Sequence, residues 1–199
     1  MKARASSLFI ILLFPAILLA QPQEVIDAYH LNSAIQSRNV EQVKENIKSK
    51  SNVNFQYNGR NALHTACNVG SLEIAKLLID AGAEVNSISE EGVGRTALQM
   101  VTGRFDPANV PELVELLLQS GADPELARNI DQLPVFEAID QGHVEALKSL
   151  LAHGASSDIR NSAGQNPLEY TDYLLTRGVS DEGTKLKLQA IKDLLMDNH

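Results

Sequence analysis

Apolar residues return in the same order three times between residues 63 and 155, and each return ends on Gly-Ala. Ile74, Leu77 and Leu78 precede Gly82-Ala83; Leu113, Val114, Leu117 and Leu118 precede Gly121-Ala122; Leu147, Leu150 and Leu151 precede Gly154-Ala155. Apolar positions three and four residues apart, with charged residues between them, make the stripe of an amphipathic helix. Helices are therefore predicted over Leu72–Ala81, Glu112–Ser120 and Val144–His153. The glycine after each suits the left-handed residue that ends a helix. A shorter apolar segment precedes each long one, clearest at Asn61–Val69 and Pro134–Gln141. Pro134 and Pro167 stand where a first helical turn tolerates a missing N–H. The unit reads as turn, helix, turn, helix, with its glycines 39 and then 33 residues apart.

Each unit also opens alike. Asn61-Ala62-Leu63-His64-Thr65-Ala66 returns as Thr96-Ala97-Leu98 and as Leu133-Pro134-Val135-Phe136. A period near 33 with a Thr-Pro-Leu-His-x-Ala-like opening resembles the ankyrin repeat. The resemblance implies an all-α solenoid of about five helix-turn-helix units joined by short β-turn or hairpin connections. It also implies a surface for binding rather than for catalysis. The units fall at 26–54, 55–86, 87–125, 126–158 and 159–199, one domain over 24–199.

The end units differ as ends should. Sliding the second unit back by 32 residues lays Leu31, Ala34, Val43 and Asn54 on Leu63, Ala66, Ala75 and Asn86. Where the inner unit has Ile74, Leu77 and Leu78, the first has Gln42, Glu45 and Asn46, the polar face of a cap with no neighbour on one side. At the other end, Leu188, Ile191, Leu194 and Leu195 stripe a helix over Thr184–Met196. Lys185, Lys187 and Gln189 lie on its far side. Asn198 takes the glycine position, as a left-handed C-cap. The connection Thr176–Gly183 is longer and irregular.

The long interval in the third unit carries six extra residues, two in the turn Ser87–Arg95 and about four between helices in Gly103–Pro111. Insertions in solenoids map to surface loops and often enlarge a binding face. The turn insertion is placed at that face and the inter-helix loop away from it. The resemblance implies a concave surface of turn tips and exposed first-helix positions. It takes Phe55, Gln56, Tyr57, Asn58, Arg60, Asn68 and Val69 in the second unit and Glu90, Glu91 and Arg95 in the third. It takes Asn129, Ile130, Gln132, Asp140 and Gln141 in the fourth, and Ser162 and Gln165 in the fifth. Phe55 and Tyr57 are candidate aromatic anchors. The fourth unit departs from the pattern at Leu133 and Phe136, so its turn network is expected to differ.

Candidate chemistry is sparse. His64 fills the histidine position of the opening, which the resemblance assigns to bonding the adjacent turn backbone. His143 and His153 flank one helix, and no two histidines share metal spacing. Cys67, the single cysteine, is expected to be a small buried hydrophobe. Glu73, Glu115 and Glu145 are expected at solvated positions. Phosphate-loop, nucleophile-elbow and zinc-helix patterns do not occur. The chain is expected to be no enzyme and to use no cofactor and no metal.

Lys2 and Arg4 precede an uncharged twelve-residue apolar run, Leu8–Leu19, which ends in Ala20. That run is short of the roughly 20 residues of a membrane span. It reads as a cleaved export signal over residues 1–20. Losing Lys2 and Arg4 takes the net charge from −8 to −10. This acidity disfavours nucleic acid and anionic membranes as partners. With no Asn-x-Ser/Thr site, the expectation is an exported monomer, periplasmic before secreted, that binds a protein on its concave face. An immunity-type inhibitor and a host-directed effector are the alternatives. Intact-mass measurement of protein extracted from the cell envelope should give a chain starting at or near Gln21. A membrane-held species still carrying residues 1–20 would refute the signal.

Overall fold

A computed structural model of the protein describes residues 21–47, 50–104, 106, 108–178 and 181–198. The predicted export signal lies outside them, as do Phe105 and Pro107 of the inserted loop. Among the described residues eleven α-helices follow in order: α1 Gln23–Gln36, α2 Val40–Asn46, α3 Lys50–Asn54, α4 Ala62–Val69, α5 Leu72–Asp80, α6 Ala97–Thr102, α7 Val110–Gln119, α8 Pro134–Gln141, α9 Val144–Ala152, α10 Pro167–Thr176 and α11 Glu182–Asp197. A 3-10 turn, Ile130–Gln132, leads into α8. The described residues contain no strand, only isolated antiparallel bridges at Tyr57–Arg60 and Ile88–Thr96. These are the hairpin connections in their smallest form.

The helices stack in two rows. First helices pack on first helices, α1 on α4, α4 on α6, α6 on α8 and α8 on α10. Second helices do the same, α2 on α5, α5 on α7, α7 on α9 and α9 on α11. Between the rows runs one apolar core, from Leu31 and Ile35 through Leu63, Ile74, Leu98, Leu117, Phe136 and Leu147 to Leu188, Ile191 and Leu195. The fold class read from the periodicity is the one observed.

The glycine positions explain how the rows turn. After α5, α7 and α9, Gly82, Gly121 and Gly154 have φ of 88°, 88° and 93°. At the first, the Gly82 N–H donates to Ile79 O (2.9 Å) and the Ala83 N–H to Leu78 O (2.9 Å). The same pair recurs at Gly121-Ala122 and Gly154-Ala155. This double bond pattern satisfies carbonyls that a helix end leaves bare, and its left-handed residue is cheap only for glycine. The first unit shows the converse. Lys50 stands where Gly82 would fall, α2 ends on extended Ile47, and the chain enters the short helix α3, which the sequence pattern does not predict. The expected left-handed cap at Asn198 is also not formed, since its φ is −105°. Its side-chain Nδ2 instead donates to Leu194 O at 2.8 Å, satisfying a terminal carbonyl without a backbone reversal.

Units are tied in register by one recurring side chain. Asn54 donates from Nδ2 to Gly82 O (3.1 Å) and accepts the Glu84 N–H on Oδ1 (2.8 Å). Asn86, its counterpart by sequence, does the same to Gly121 O (2.9 Å) and the Asp123 N–H (2.9 Å). In the next unit Glu125 holds the position and accepts the Ser156 N–H at 3.0 Å. Each bond spans one repeat, so a unit's turn is fixed by the unit before it.

The C-terminal helix closes the stack. Leu188, Ile191 and Leu195 of α11 are buried against α9 and α10. At roughly 1.5–3 kcal/mol for each buried side chain, their loss approaches the whole stability of an ordinary domain, about 5–15 kcal/mol. Truncation before Thr184 is therefore expected to give aggregated or partly unfolded protein on size-exclusion chromatography. A soluble monomer that melts cooperatively would show α11 to be an appended tail.

Candidate functional site

The sequence Tyr57-Asn58-Gly59-Arg60 forms a two-residue hairpin turn. Asn58 and Gly59 both have positive φ, 52° and 76°, as a type I′ turn requires and as Asn-Gly tolerates best. The Tyr57 N–H donates to Arg60 O at 2.9 Å, and the Arg60 N–H returns to Tyr57 O at 3.2 Å. The turn puts two large side chains on either side of an exposed Asn58. Tyr57 leans edge-on against Tyr29, 5.7 Å between ring centres, and Arg60 pairs through Nε with Glu91 of the next turn. Gln56 stitches the same two turns, donating to Ile88 O (2.9 Å) and accepting the Glu90 N–H (3.0 Å).

Beneath the turns lies a groove in two contiguous parts. One, about 280 Å³, is lined by Asn32 and Gln36 of α1, Thr65, Asn68 and Val69 of α4, and the turn residues Tyr57, Asn58, Arg60 and Glu91. The other, about 310 Å³, shares Arg60 and Asn68 and adds Arg95, Met100, Gly103, Arg104 and Asp106. The groove thus crosses three consecutive units. The inserted inter-helix loop, expected away from this face, forms its far wall. Its Arg104 reaches back to the end of α4, where Nη1 donates to Asn68 O and, at 3.3 Å, to Cys67 O. Arg38 caps the same helix from the other side at Val69 O. Two guanidiniums on the last carbonyls of one helix complement the negative end of its dipole. Asn109 donates to Gly70 O at 3.1 Å and His143 bonds Arg104 O at 2.8 Å, so the loop is held at both ends.

Arg95 is engaged below the groove. Its Nη2 donates to Gln99 O (2.6 Å) and to Glu137, whose other carboxylate oxygen accepts from Thr102 Oγ1 at 2.9 Å. Burial pushes the Glu137 pKa up, and Arg95 and Thr102 oppose the shift. The remaining sequence-derived positions lie elsewhere. Phe55 is half-buried and Glu90 is exposed, and neither lines the groove. Asn129 accepts the Asp131 N–H at 3.0 Å and Ile130 is 44% exposed on the 3-10 turn. Asp140 accepts from Tyr170 Oη at 2.6 Å, and Gln141 is half-buried at the end of α8. Ser162 and Gln165 line a separate groove of about 360 Å³, with Phe136, Tyr170 and Tyr173; Gln132 gives its carbonyl to Gln99 Nε2.

The histidine position of the opening does one job with different side chains in the second and third units. His64 Nδ1 accepts the Asn61 N–H (3.2 Å) and Nε2 faces Ser87 O (2.9 Å). Nε2 therefore carries the proton of a neutral ring. Gln99 repeats this, accepting the Thr96 N–H (2.9 Å) on Oε1 and donating to Gln132 O (2.7 Å). In the fourth unit Phe136 makes neither bond. It is buried and packs edge-on against Tyr170, 5.6 Å between centres, which is the altered turn network that Leu133 and Phe136 lead one to expect.

Residues 31–125 match the family model described as ankyrin repeats (3 copies). Residues 31–125 are ankyrin repeats. Tyrosine-protein kinase HTK16 of Hydra vulgaris is 33% identical over 153 residues, covering 72% of this chain and 19% of the kinase. The probable 26S proteasome regulatory subunit p28 of Saccharomyces cerevisiae is 26% identical over 161 residues, 77% of this chain and 67% of the subunit. Ankyrin repeat domain-containing protein 63 of Mus musculus is 29% identical over 105 residues, 52% of this chain and 26% of that protein. The chain spans less than a fifth of the kinase.

Cys67 is buried and its thiol is pushed up to about 12 by that burial. Glu115, expected free in solvent, is held by Gln119 (2.8 Å) and lies 3.8 Å from His153 of the next unit. Among the described residues no group of His, Cys, Asp or Glu is arranged to hold a metal ion, and no helix is long and apolar enough to cross a membrane.

Several groove residues escaped the sequence reading. Asn32 and Gln36 were within reach, since the 32-residue offset that pairs Leu31 with Leu63 also pairs them with His64 and Asn68. Met100 was also within reach, since the alignment of the openings lays it on Thr65; Arg104 and Asp106 carry no such signal, because an insertion has no counterpart in the other units.

The neutral state of His64 is testable. Burial lowers its pKa below 6.5, so just below pH 6.5 the unfolded chain takes up the proton first. Its contribution to stability is complete above that pH, falls as pH drops, and levels out below the folded value. His143 shifts the same way. His64→Gln, copying Gln99, should cost no more than about 1 kcal/mol at pH 8 and flatten the fall in melting temperature between pH 6.5 and 5. An unchanged pH profile would mean that His64 titrates normally.

Proposed function

We propose that this chain is a non-catalytic protein-binding module that holds its partner in the groove spanning the first three units. We further propose that it does so after export, in the periplasm of a bacterial cell. Ankyrin repeats imply a protein partner. The observation that supports this site is the way the groove is built. Its walls are side chains of α1, α4, α6 and two turns, and the turns are fixed by bonds from the preceding unit, Gln56 to the Glu90 N–H and Asn54 to the Glu84 N–H. A surface held in this way loses little conformational entropy when a partner docks. The export proposal rests on residues 1–20 alone.

Affinity purification from the envelope fraction, followed by mass spectrometry, supplies the partner. Tyr57→Ala and Asn68→Ala should each weaken its capture by roughly 1–2 kcal/mol, as truncations at the centre of an interface do. Their melting temperatures should stay near wild type for Asn68→Ala, which is exposed. Lys148→Glu, an exposed change on the outer row, should leave capture unaltered. Loss of capture by Lys148→Glu with normal binding by the groove variants would place the contact on the outer face.

A further inference from the structure

Three guanidiniums, those of Arg60, Arg95 and Arg104, line one groove in a chain whose net charge is −8. Their existing partners do not use up their donors. Arg60 meets Glu91 through Nε, and neither of its Nη groups has a partner among the described residues. Arg104 commits Nη1 to two carbonyls, while Nη2 has only Asp106, at 3.6 Å. Arg95 commits Nη2 alone, and the Nε atoms of Arg60, Arg95 and Arg104 are buried without a hydrogen bond, that of Arg60 lying in ion-pair contact with Glu91. Two of these heads lie over glycines. Gly103 has an ordinary φ of −84°, open to any residue, yet a Cβ there would lie 2.6 Å from Arg95 Nη2; one at Gly70 would lie 2.6 Å from Arg104 Nη2. Both guanidiniums therefore lie directly against bare backbone, although Gly70 is also the left-handed C-cap of α4, with φ of 72°.

We propose that the occupant of this groove is an extended protein segment carrying an Asp or Glu side chain, whose carboxylate docks on the open Nη face of Arg60 with apolar residues on either side of it. This deepens the reading of the groove as the partner site and rests on that reading. A guanidinium presents two parallel N–H groups at the spacing of carboxylate oxygens, and the pairing is directional. The Arg60–Glu91 pair does not forbid it, because a pair this exposed is worth little on its own and leaves both Nη groups to the ligand. Tyr57, Val69 and Met100 supply apolar wall beside the arginines, which suits side chains flanking the acid. A polyanion fits less well. Glu91 and Asp106 stand on the groove itself, and the rest of the acidic surface repels a run of phosphates, whereas one carboxylate meets only the local arginines.

The test uses a phage-displayed library of random peptides of about twelve residues, an extended segment's length, selected against the full chain. Enriched sequences should share an acidic residue between apolar ones. For a synthetic copy, replacing that acid by its amide should weaken binding about tenfold, and Arg60→Gln should weaken it equally. The two changes together should cost no more than either alone, and Arg60→Lys should recover part of the loss. The peptide's own acid-to-amide change, measured on the unaltered protein, stands even if an arginine variant folds poorly. Enriched peptides without an acid, additive losses in the cycle, or tighter binding of a single-stranded oligothymidine that Arg60→Gln abolishes would each overturn the proposal. Neutral peptides that depend on Tyr57 would overturn it while leaving the groove as a protein-binding site; a selection that enriches nothing would count against both.

Discussion

A helix pair of this size cannot cover the apolar side of its own second helix, so each unit takes part of its core from the next. Every other property of the structure follows from that dependence. Leu117 and Leu118 of α7 are buried because α5 and α9 lie on either side. The ends must therefore break the pattern. At one end Gln42 and Glu45 turn the outer side of α2 into a solvated face. At the other, α11 is long and buries Leu188, Ile191 and Leu195 toward α9 and α10, while its outer side is mostly polar, with Leu186 and Met196 exposed. Stability is thus a property of the stack, and no single repeat holds it.

Apolar contact sets how closely units stack but not how they are turned. Two columns of side chain-to-backbone bonds supply the angle. Asn54, Asn86 and Glu125 form one column, reaching forward to the turn of the next unit. His64 and Gln99 form the other, each joining its own helix cap to the following turn. Such bonds are individually modest, about 1 kcal/mol, but they act on segments without strands to hold them. At the groove a further bond of the same span, from Gln56 to the Glu90 N–H, holds the turn that carries Glu91.

What was legible in the sequence was whatever repeats. Gly82, Gly121 and Gly154 announced the helix ends, and Asn54 could be laid on Asn86 because both serve one purpose in successive units. Asn58-Gly59 was a hairpin signal in its own right. The departures were harder, for physical reasons that differ. The short helix α3 follows from an absent glycine at Lys50, and an absence predicts where a turn fails but not what replaces it. Asn198 offered two ways to satisfy a helix end, and its side chain took the carbonyl that a backbone reversal would have served. Arg104 was invisible as a groove residue because its partners, the carbonyls of Cys67 and Asn68, lie a full repeat away and belong to the backbone, which the sequence does not distinguish by residue type.

The insertion in the third unit shows how a repeat scaffold acquires a particular site without disturbing its core. Extra residues between helices add little closure cost, and Val110 and Leu113 still enter the core beyond them. The added loop returns to the neighbouring unit, where Arg104 takes over the end of α4. One residue thereby joins three roles, capping a helix, walling the groove and placing a positive charge there. The groove residues then fall into two kinds. Asn58, Asn68 and Glu91 are exposed and outside the core, free to change with the partner. Arg95 and Arg104 are tied to Glu137 and to the α4 carbonyls, so altering them disturbs the contact between units as well as the surface. Arg60 lies between these kinds, paired with Glu91 of the next turn through one nitrogen and without a hydrogen bond at the other two, which is why the proposed acid contact is placed on that side chain.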